Sequence, residues 1–134
     1  MSKFLLKVLS VTHWTDTLFS FQIERPKDFK FKSGEFVMIG LPNSDKPILR
    51  AYSICSPNWD EKLEFYSIIV ENGPLTSKLK NIKINDEIVL MSKSTGTLIL
   101  DAVKPAKRLF LLSTGTGFAP FSSVSYTHLG AHET

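Results

Sequence analysis

Cysteine is almost absent: Cys55 stands alone in 134 residues. A lone thiol excludes an intrachain disulfide framework and a thiolate cluster for zinc or iron–sulfur, and it fits a reducing cytoplasm. Long apolar runs are missing too. No window approaches the roughly 20 apolar residues of a membrane-spanning helix. The apolar start, Phe4-Leu5-Leu6, is too short and too closely flanked by Lys3 and Lys7 for a secretory leader. A cytoplasmic protein with no membrane association is expected. Charge of one sign is scarce as well, with sixteen Lys and Arg against thirteen Asp and Glu and a net charge of +3. The bases fall in small groups (Lys27, Lys30 and Lys32; Lys78, Lys80 and Lys83; Lys104, Lys107 and Arg108) rather than in the concentrated stripe typical of nucleic-acid binding. Each group reads either as solvated loop or as a landing site for an acidic protein partner.

What the chain does have is phenylalanine, ten in all, within an ordinary balance of 43% apolar and 22% charged residues. The length suits one domain with its own core, and aromatics in this density suit the pleated, half-buried surfaces of a β-rich fold. Strands are expected over 4–11, 18–24, 35–41, 48–55, 63–70 and 87–91, with a last short one at 97–100. The segment Leu18-Phe19-Ser20-Phe21-Gln22-Ile23-Glu24 alternates with period two and stops at Arg25-Pro26, since proline cannot donate to a ladder. Turn residues cluster at 42–47 and 56–61. One short helix is expected over 76–81, where Leu75, Leu79 and Ile82 share a face. Six or seven short strands with regular turns point to an all-β fold, an antiparallel barrel or sandwich. The run Arg108-Leu109-Phe110-Leu111-Leu112-Ser113 is different. It is almost wholly apolar, as in a strand buried on both faces of a parallel sheet, and glycines and a helix-compatible stretch follow it.

Three short motifs carry chemistry. On the expected fourth strand, alternation puts Arg50 and Tyr52 of Arg50-Ala51-Tyr52-Ser53 on one face. An arginine can hold phosphate oxygens and a tyrosine can back a planar ring, although a surface arginine beside a core-edge tyrosine is the plainer reading. In Gly73-Pro74-Leu75-Thr76-Ser77 a turn leads into a helix start, which is either a simple cap or a cradle of free N–H groups for a pyrophosphate. Ser113-Thr114-Gly115-Thr116-Gly117-Phe118-Ala119-Pro120-Phe121 is either a tight strand-to-helix turn or a close approach for a ligand.

In this order the three motifs resemble the ferredoxin–NADP⁺ reductase family. The connecting segments Ser56-Pro57-Asn58-Trp59, Leu63-Glu64-Phe65-Tyr66-Ser67 and Ser94-Thr95-Gly96-Thr97-Leu98 resemble its bacterial, ferredoxin/flavodoxin branch. The resemblance runs over about residues 3–124. It implies a six-stranded antiparallel Greek-key barrel that holds FAD. It further implies that Arg50 pairs with the FAD phosphates and that Tyr52 lies against the isoalloxazine. Ala51 belongs to the same binding strand, and Ser53 hydrogen-bonds near the flavin N5. Phe65, Tyr66 and Ser67 line the ring or ribityl chain, Pro74, Leu75 and Thr76 cradle the pyrophosphate, and Thr116 sits where the nicotinamide enters. Tyr52 and Ser53 are the residues nearest the chemistry. NADP(H) then delivers two electrons as hydride, ferredoxin or flavodoxin exchanges one at a time, and the flavin bridges the two. No metal or acid–base dyad is required, so His13, His128 and His132 need no catalytic role, and Cys55 reads as strand packing.

By the same likeness residues 1–102 form the FAD barrel and 103–124 the opening of a nucleotide-binding α/β domain. Residues 125–134 form an atypical tail that lacks the amphipathic pattern of that domain's first helix. The chain is thus expected to be a fragment that binds FAD with little NADPH turnover, a monomer that can associate through its exposed apolar run. A related flavin reductase or oxygenase-reductase component, and a non-catalytic flavin-binding barrel or cofactor-free interaction module, are the other readings.

Overall fold

Period-two alternation builds six antiparallel strands: β1 (Lys3–His13), β2 (Leu18–Glu24), β3 (Phe36–Gly40), β4 (Arg50–Ser53), β5 (Lys62–Ile68) and β6 (Glu87–Met91). The computed structural model describes residues 2–42 and 45–129. The strands follow the order β4-β3-β6-β1-β2-β5 in one sheet. β1 serves two neighbours. Lys3–Lys7 pair with β6 and Val8–His13 with β2, and the register slips between Val8 and Ser10. Such a bulge bends a strand and lets it turn the corner of a barrel. The sheet curls until its outer strands, β4 and β5, face each other. There the Ile54 amide donates to the Glu35 carbonyl and the Cys55 amide to the Glu64 carbonyl of β5, giving a nearly closed six-stranded barrel.

The inward positions form one core. Phe19, Phe21 and Ile23 of β2 meet Leu63 and Phe65 of β5, Val37 and Ile39 of β3, and Ile88 and Leu90 of β6. Phe29 and Phe31 close one part of the core, and Leu79 and Ile82 fill another. Much of the phenylalanine signal in the composition is therefore core. The short helix α1 spans Thr76–Leu79, two residues less than the spacing suggests, and it buries Leu79. A second helix, α2 (Phe118–Val124), continues into a π-helical turn over Ser125–Leu129.

β1, β3 and β5 depart from their expected bounds by one or two residues at an end, and three further expected strands differ more. β4 ends at Ser53 rather than Cys55 because Ile54 and Cys55 send their amides to the chain before β3 and to β5. Thr97–Leu100 is not a strand. The chain pairs with β3 only at Thr95–Phe36, then turns through Gly96 at φ +136° and enters a 3₁₀ turn over Leu100–Ala102. The run at 108–113 has the composition of a buried strand but carries no ladder among the described residues, since no described strand lies beside it to accept its bonds. Phe110 and Leu112 are accordingly 79% and 84% exposed. The turn expected at 42–47 lies partly, and the tail at 125–134 partly, outside the described residues; His132 is outside them altogether.

Candidate functional site

Where β4 and β5 face each other without a continuous ladder, the barrel wall opens into a cleft of about 290 Å³. β4 contributes Ala51, Tyr52 and Ser53, and β5 contributes Tyr66, Ser67 and Ile68. Val70 and Thr76, and Thr116 with Ala119 at the start of α2, complete the lining. A seam between unpaired strand edges offers backbone and side-chain polar groups that a fully laddered wall would have consumed.

Tyr52 forms part of the wall. Its ring meets Phe21 and Phe65 edge-on, both at 6.4 Å between centroids. Its hydroxyl shares a 3.0 Å hydrogen bond with the Ser67 hydroxyl across the seam. Burial raises the Tyr52 phenol above its ordinary value, while the Ser67 bond and the nearby Arg50 charge pull it down. The phenol therefore stays protonated around neutrality. Arg50 does not line the cleft. It lies exposed on the rim, and its guanidinium donates to the adjacent Leu49 carbonyl at 2.9 Å. Tyr66 stacks edge-on with Phe118 at 6.0 Å, and burial first, then Cys55 and Glu64, raises its phenol.

The structure places Phe65 away from the cleft. It is fully buried behind the wall, packed against the Phe21 and Tyr52 rings, whereas Ser67 on the same face of β5 reaches the cleft at the Tyr52 hydroxyl. Pro74 is exposed and Leu75 is buried beneath α1, so neither presents its side chain to the cleft. Thr76 does line it, but its hydroxyl is engaged by the Val70 amide at 3.1 Å and carbonyl at 3.2 Å. That pair folds the 70–76 loop tightly. A Cβ on Gly73 would lie 2.6 Å from the Thr76 Oγ1 and 3.0 Å from the Val70 carbonyl oxygen, so any larger residue would have to displace the Thr76 hydroxyl. Leu75 and Thr76 open α1, where backbone N–H groups have no intrahelical partner.

Ile68, Val70 and Ala119 also line the cleft and were not expected from the sequence. Ile68 follows Tyr66 by one strand period, a readable signal; Ala119 arrives only through the docking of α2. Arg25, which closes β2 in the sequence, turns out to be a structural clasp. Its guanidinium donates to the carbonyls of Phe29, Asn58 and Asp60 at 2.7–3.1 Å and lies 4.9 Å over the Phe31 ring. Burial lowers its pKa and Asp60 opposes the shift. Cys55 is buried just behind the cleft. Desolvation pushes its thiol from 9.0 up to about 12, with the Ser122 bond opposing and Glu64 adding to the rise.

The Cys55 shift gives a pH prediction. The folded chain keeps a proton that the unfolded chain releases above pH 9, so this stabilisation is whole below 9 and is lost between 9 and about 12. The urea midpoint of the native protein should fall more between about pH 8 and about pH 10.5 than that of Cys55→Ala. Parallel declines would remove Cys55 as the cause.

No helix among the described residues is long and apolar enough to cross a membrane. Comparison with known proteins is unambiguous about kinship. The chain is 62% identical over 118 residues to a flavodoxin/ferredoxin–NADP reductase of Rhodobacter capsulatus, covering 87% of this chain and 44% of that protein. It is 58% identical over 118 residues to a ferredoxin–NADP reductase of Pseudomonas aeruginosa, covering 88% and 46%. The chain thus spans somewhat less than half the length of these curated relatives. Among solved structures, a ferredoxin NADP⁺ reductase from Neisseria gonorrhoeae with bound FAD and NADP superposes with a TM-score of 0.90 at 32% identity, over 95% of this chain and 52% of that one. The family described as oxidoreductase FAD-binding domain matches residues 4–98, which hold the barrel and most of the cleft, and this chain belongs to that family.

Proposed function

We propose that the β4–β5 cleft holds FAD and that the chain serves electron transfer between NADPH and ferredoxin or flavodoxin, the activity for which its relatives are named. The observation that carries this reading is Tyr52: an aromatic plate fixed by two phenylalanines and by Ser67, on the wall of an open seam. The residues around it fit the cofactor. The cleft volume lies at the lower end of small-molecule pockets and suits a planar ring system, with the remainder of the molecule running out along the rim. The opening amides of α1 at Leu75 and Thr76, beside the crowded Gly73, suit phosphate oxygens. The exposed Arg50 guanidinium spends one donor on the Leu49 carbonyl and keeps its others for an anion.

In this reading Arg50 and the Leu75 and Thr76 amides hold the pyrophosphate. Tyr52, Tyr66 and Ser67 orient the ring, and Ser53 and Thr116 flank the reacting edge. Bound FAD would supply the exchange between two-electron hydride chemistry and one-electron carriers. Tyr52 stays a neutral phenol at working pH, so it offers a hydrogen bond without placing a negative charge beside the ring. Residues 1–102 are read as the FAD barrel and 103–124 as the opening of the nucleotide-binding α/β domain. The exposed Lys78, Lys80 and Lys83 would steer an acidic protein carrier toward a cytoplasmic, monomeric barrel.

Titration of the purified protein with FAD and with FMN tests the assignment. Arg50→Ala should raise the FAD dissociation constant by about 10- to 100-fold, the value of one charge-assisted bond, and raise that for FMN less. Tyr52→Ala should weaken retention and brighten the remaining flavin fluorescence, because a stacked tyrosine quenches. A native protein that takes up no FAD, or equal losses for both flavins in Arg50→Ala, would overturn the placement.

A further inference from the structure

The helix α2 is seven residues long, too short to persist without docking. Ala119, Pro120 and Val124 give it an apolar footing on the barrel, but apolar contact is non-directional and does not fix the rotation of a helix. Its polar contacts do. Ser123 is fully buried, and its hydroxyl donates to the Ser56 carbonyl at 2.7 Å. Ser122, itself buried, lies near enough to the Cys55 thiol to temper the rise of its pKa. Ser56 in turn accepts the Glu64 amide on its own hydroxyl at 3.1 Å, and the Cys55 amide donates to the Glu64 carbonyl at 2.8 Å. α2, the β4–β5 connection and β5 are thus tied behind the cleft, and beyond α2 the Thr127 hydroxyl adds a second tie, accepting the Ser33 hydroxyl at 2.7 Å and the Asn58 amide at 3.2 Å. The same helix carries Ala119 into the cleft wall and Phe118 against Tyr66.

We propose that Ser123 is a positioning residue: its hydroxyl latches α2 onto residues 55–56 and so sets the opening of the β4–β5 cleft, a consequence for the cofactor that rests on the flavin reading above. A helix released from Ser56 would draw Ala119 and Thr116 away from Ser53 and separate Phe118 from Tyr66. Loss of the hydroxyl also strands a buried carbonyl, which costs more than the bond alone contributes.

Cys55, the only cysteine in the chain and buried beneath α2, reports the latch directly. A buried thiol reacts only when its cover opens. Labelling with a dithionitrobenzoate reagent is followed for the native protein, Ser123→Ala and Ser123→Thr, each with and without FAD. Ser123→Ala should label about tenfold faster than the native chain, from the loss of roughly one buried hydrogen bond, and retain FAD several-fold less well. Ser123→Thr, which keeps the hydroxyl, should restore most of both. Bound FAD should slow labelling of the native chain. Labelling of Ser123→Ala at the native rate overturns the latch, and faster labelling with undiminished FAD affinity overturns its link to the cleft. If Ser123→Ala does not fold, the native protein decides. In low urea its labelling should rise with a slope well below that of global unfolding, and a slope equal to the global one overturns a local latch. A native chain that takes up no FAD sinks the flavin reading, while the flavin-free thiol kinetics still judge the latch.

Discussion

Phe65→Ala is expected to destabilise the protein by about 3–5 kcal/mol, the range for removing a large aromatic from a packed core. Phe65 is fully buried and sits directly opposite Phe21 in the β2–β5 ladder, with ring centroids 5.5 Å apart. It is also one of the two rings that hold Tyr52 edge-on. The void would therefore open beneath the cleft wall, where the seam offers no ladder to resist collapse. Two readouts should move together: the urea midpoint, and FAD retention under conditions where the variant is still folded, because Tyr52 loses its lateral support. Phe110→Ala supplies the contrast. Its ring is 79% exposed, and its removal should change stability by no more than about 0.5 kcal/mol. A Phe65→Ala protein within about 1 kcal/mol of native would mean that the Phe21–Phe65–Tyr52 packing is not what supports the seam.

The same residue shows what the sequence could and could not reveal. β2 and β6 have the bounds expected of them, since each is a short apolar pattern bracketed by residues that stop a ladder, Arg25-Pro26 and Asn85-Asp86. Family likeness singled out Ala51, Tyr52, Ser53, Tyr66, Ser67, Thr76 and Thr116, and the fold brings these residues to one cleft. It also named Phe65, whose side chain the fold packs against Phe21 and Tyr52 behind the cleft wall. Other features had no local signal. Whether 108–113 becomes a strand depends on a partner strand, which composition cannot supply. Ala119 in the cleft wall, the Ser123–Ser56 bond and the Arg25 clasp join residues distant in sequence, and nothing in either partner's neighbourhood announces the other.

Gly34→Ala is the substitution with the most severe expected outcome, and the reason is backbone geometry. Gly34 has φ +103°, a conformation that side chains rarely adopt, and an added Cβ would fall 1.8 Å from the Leu98 carbonyl oxygen and 2.8 Å from its carbon. Both obstacles are main chain, so no rotamer change relieves them. One of the two segments must move. Neither moves alone, because the following residue, Glu35, is committed three ways. Its carboxylate accepts the Lys32 amide at 2.7 Å and the Ser94 hydroxyl at 3.0 Å, and its carbonyl accepts the Ile54 amide just past β4. A shift at Gly34 therefore reaches the start of β3, the 94–98 loop and the end of β4, where the cleft begins. The cost should exceed about 4 kcal/mol, in the range that marks a lost structural requirement rather than an ordinary surface change. Gly117→Ala is the control: its nearest obstacle is the Ser113 Cβ at 3.4 Å and its φ is ordinary, −59°. Thermal unfolding of the two variants, read alongside FAD uptake, should separate them by well over 10 °C, since about 1 kcal/mol shifts a domain of this size by a few degrees. If Gly34→Ala melted within a few degrees of Gly117→Ala, the crossing of the 33–35 and 94–98 segments could not be as tight as drawn, and β4 would need some other anchor to hold Ser53 at the cleft.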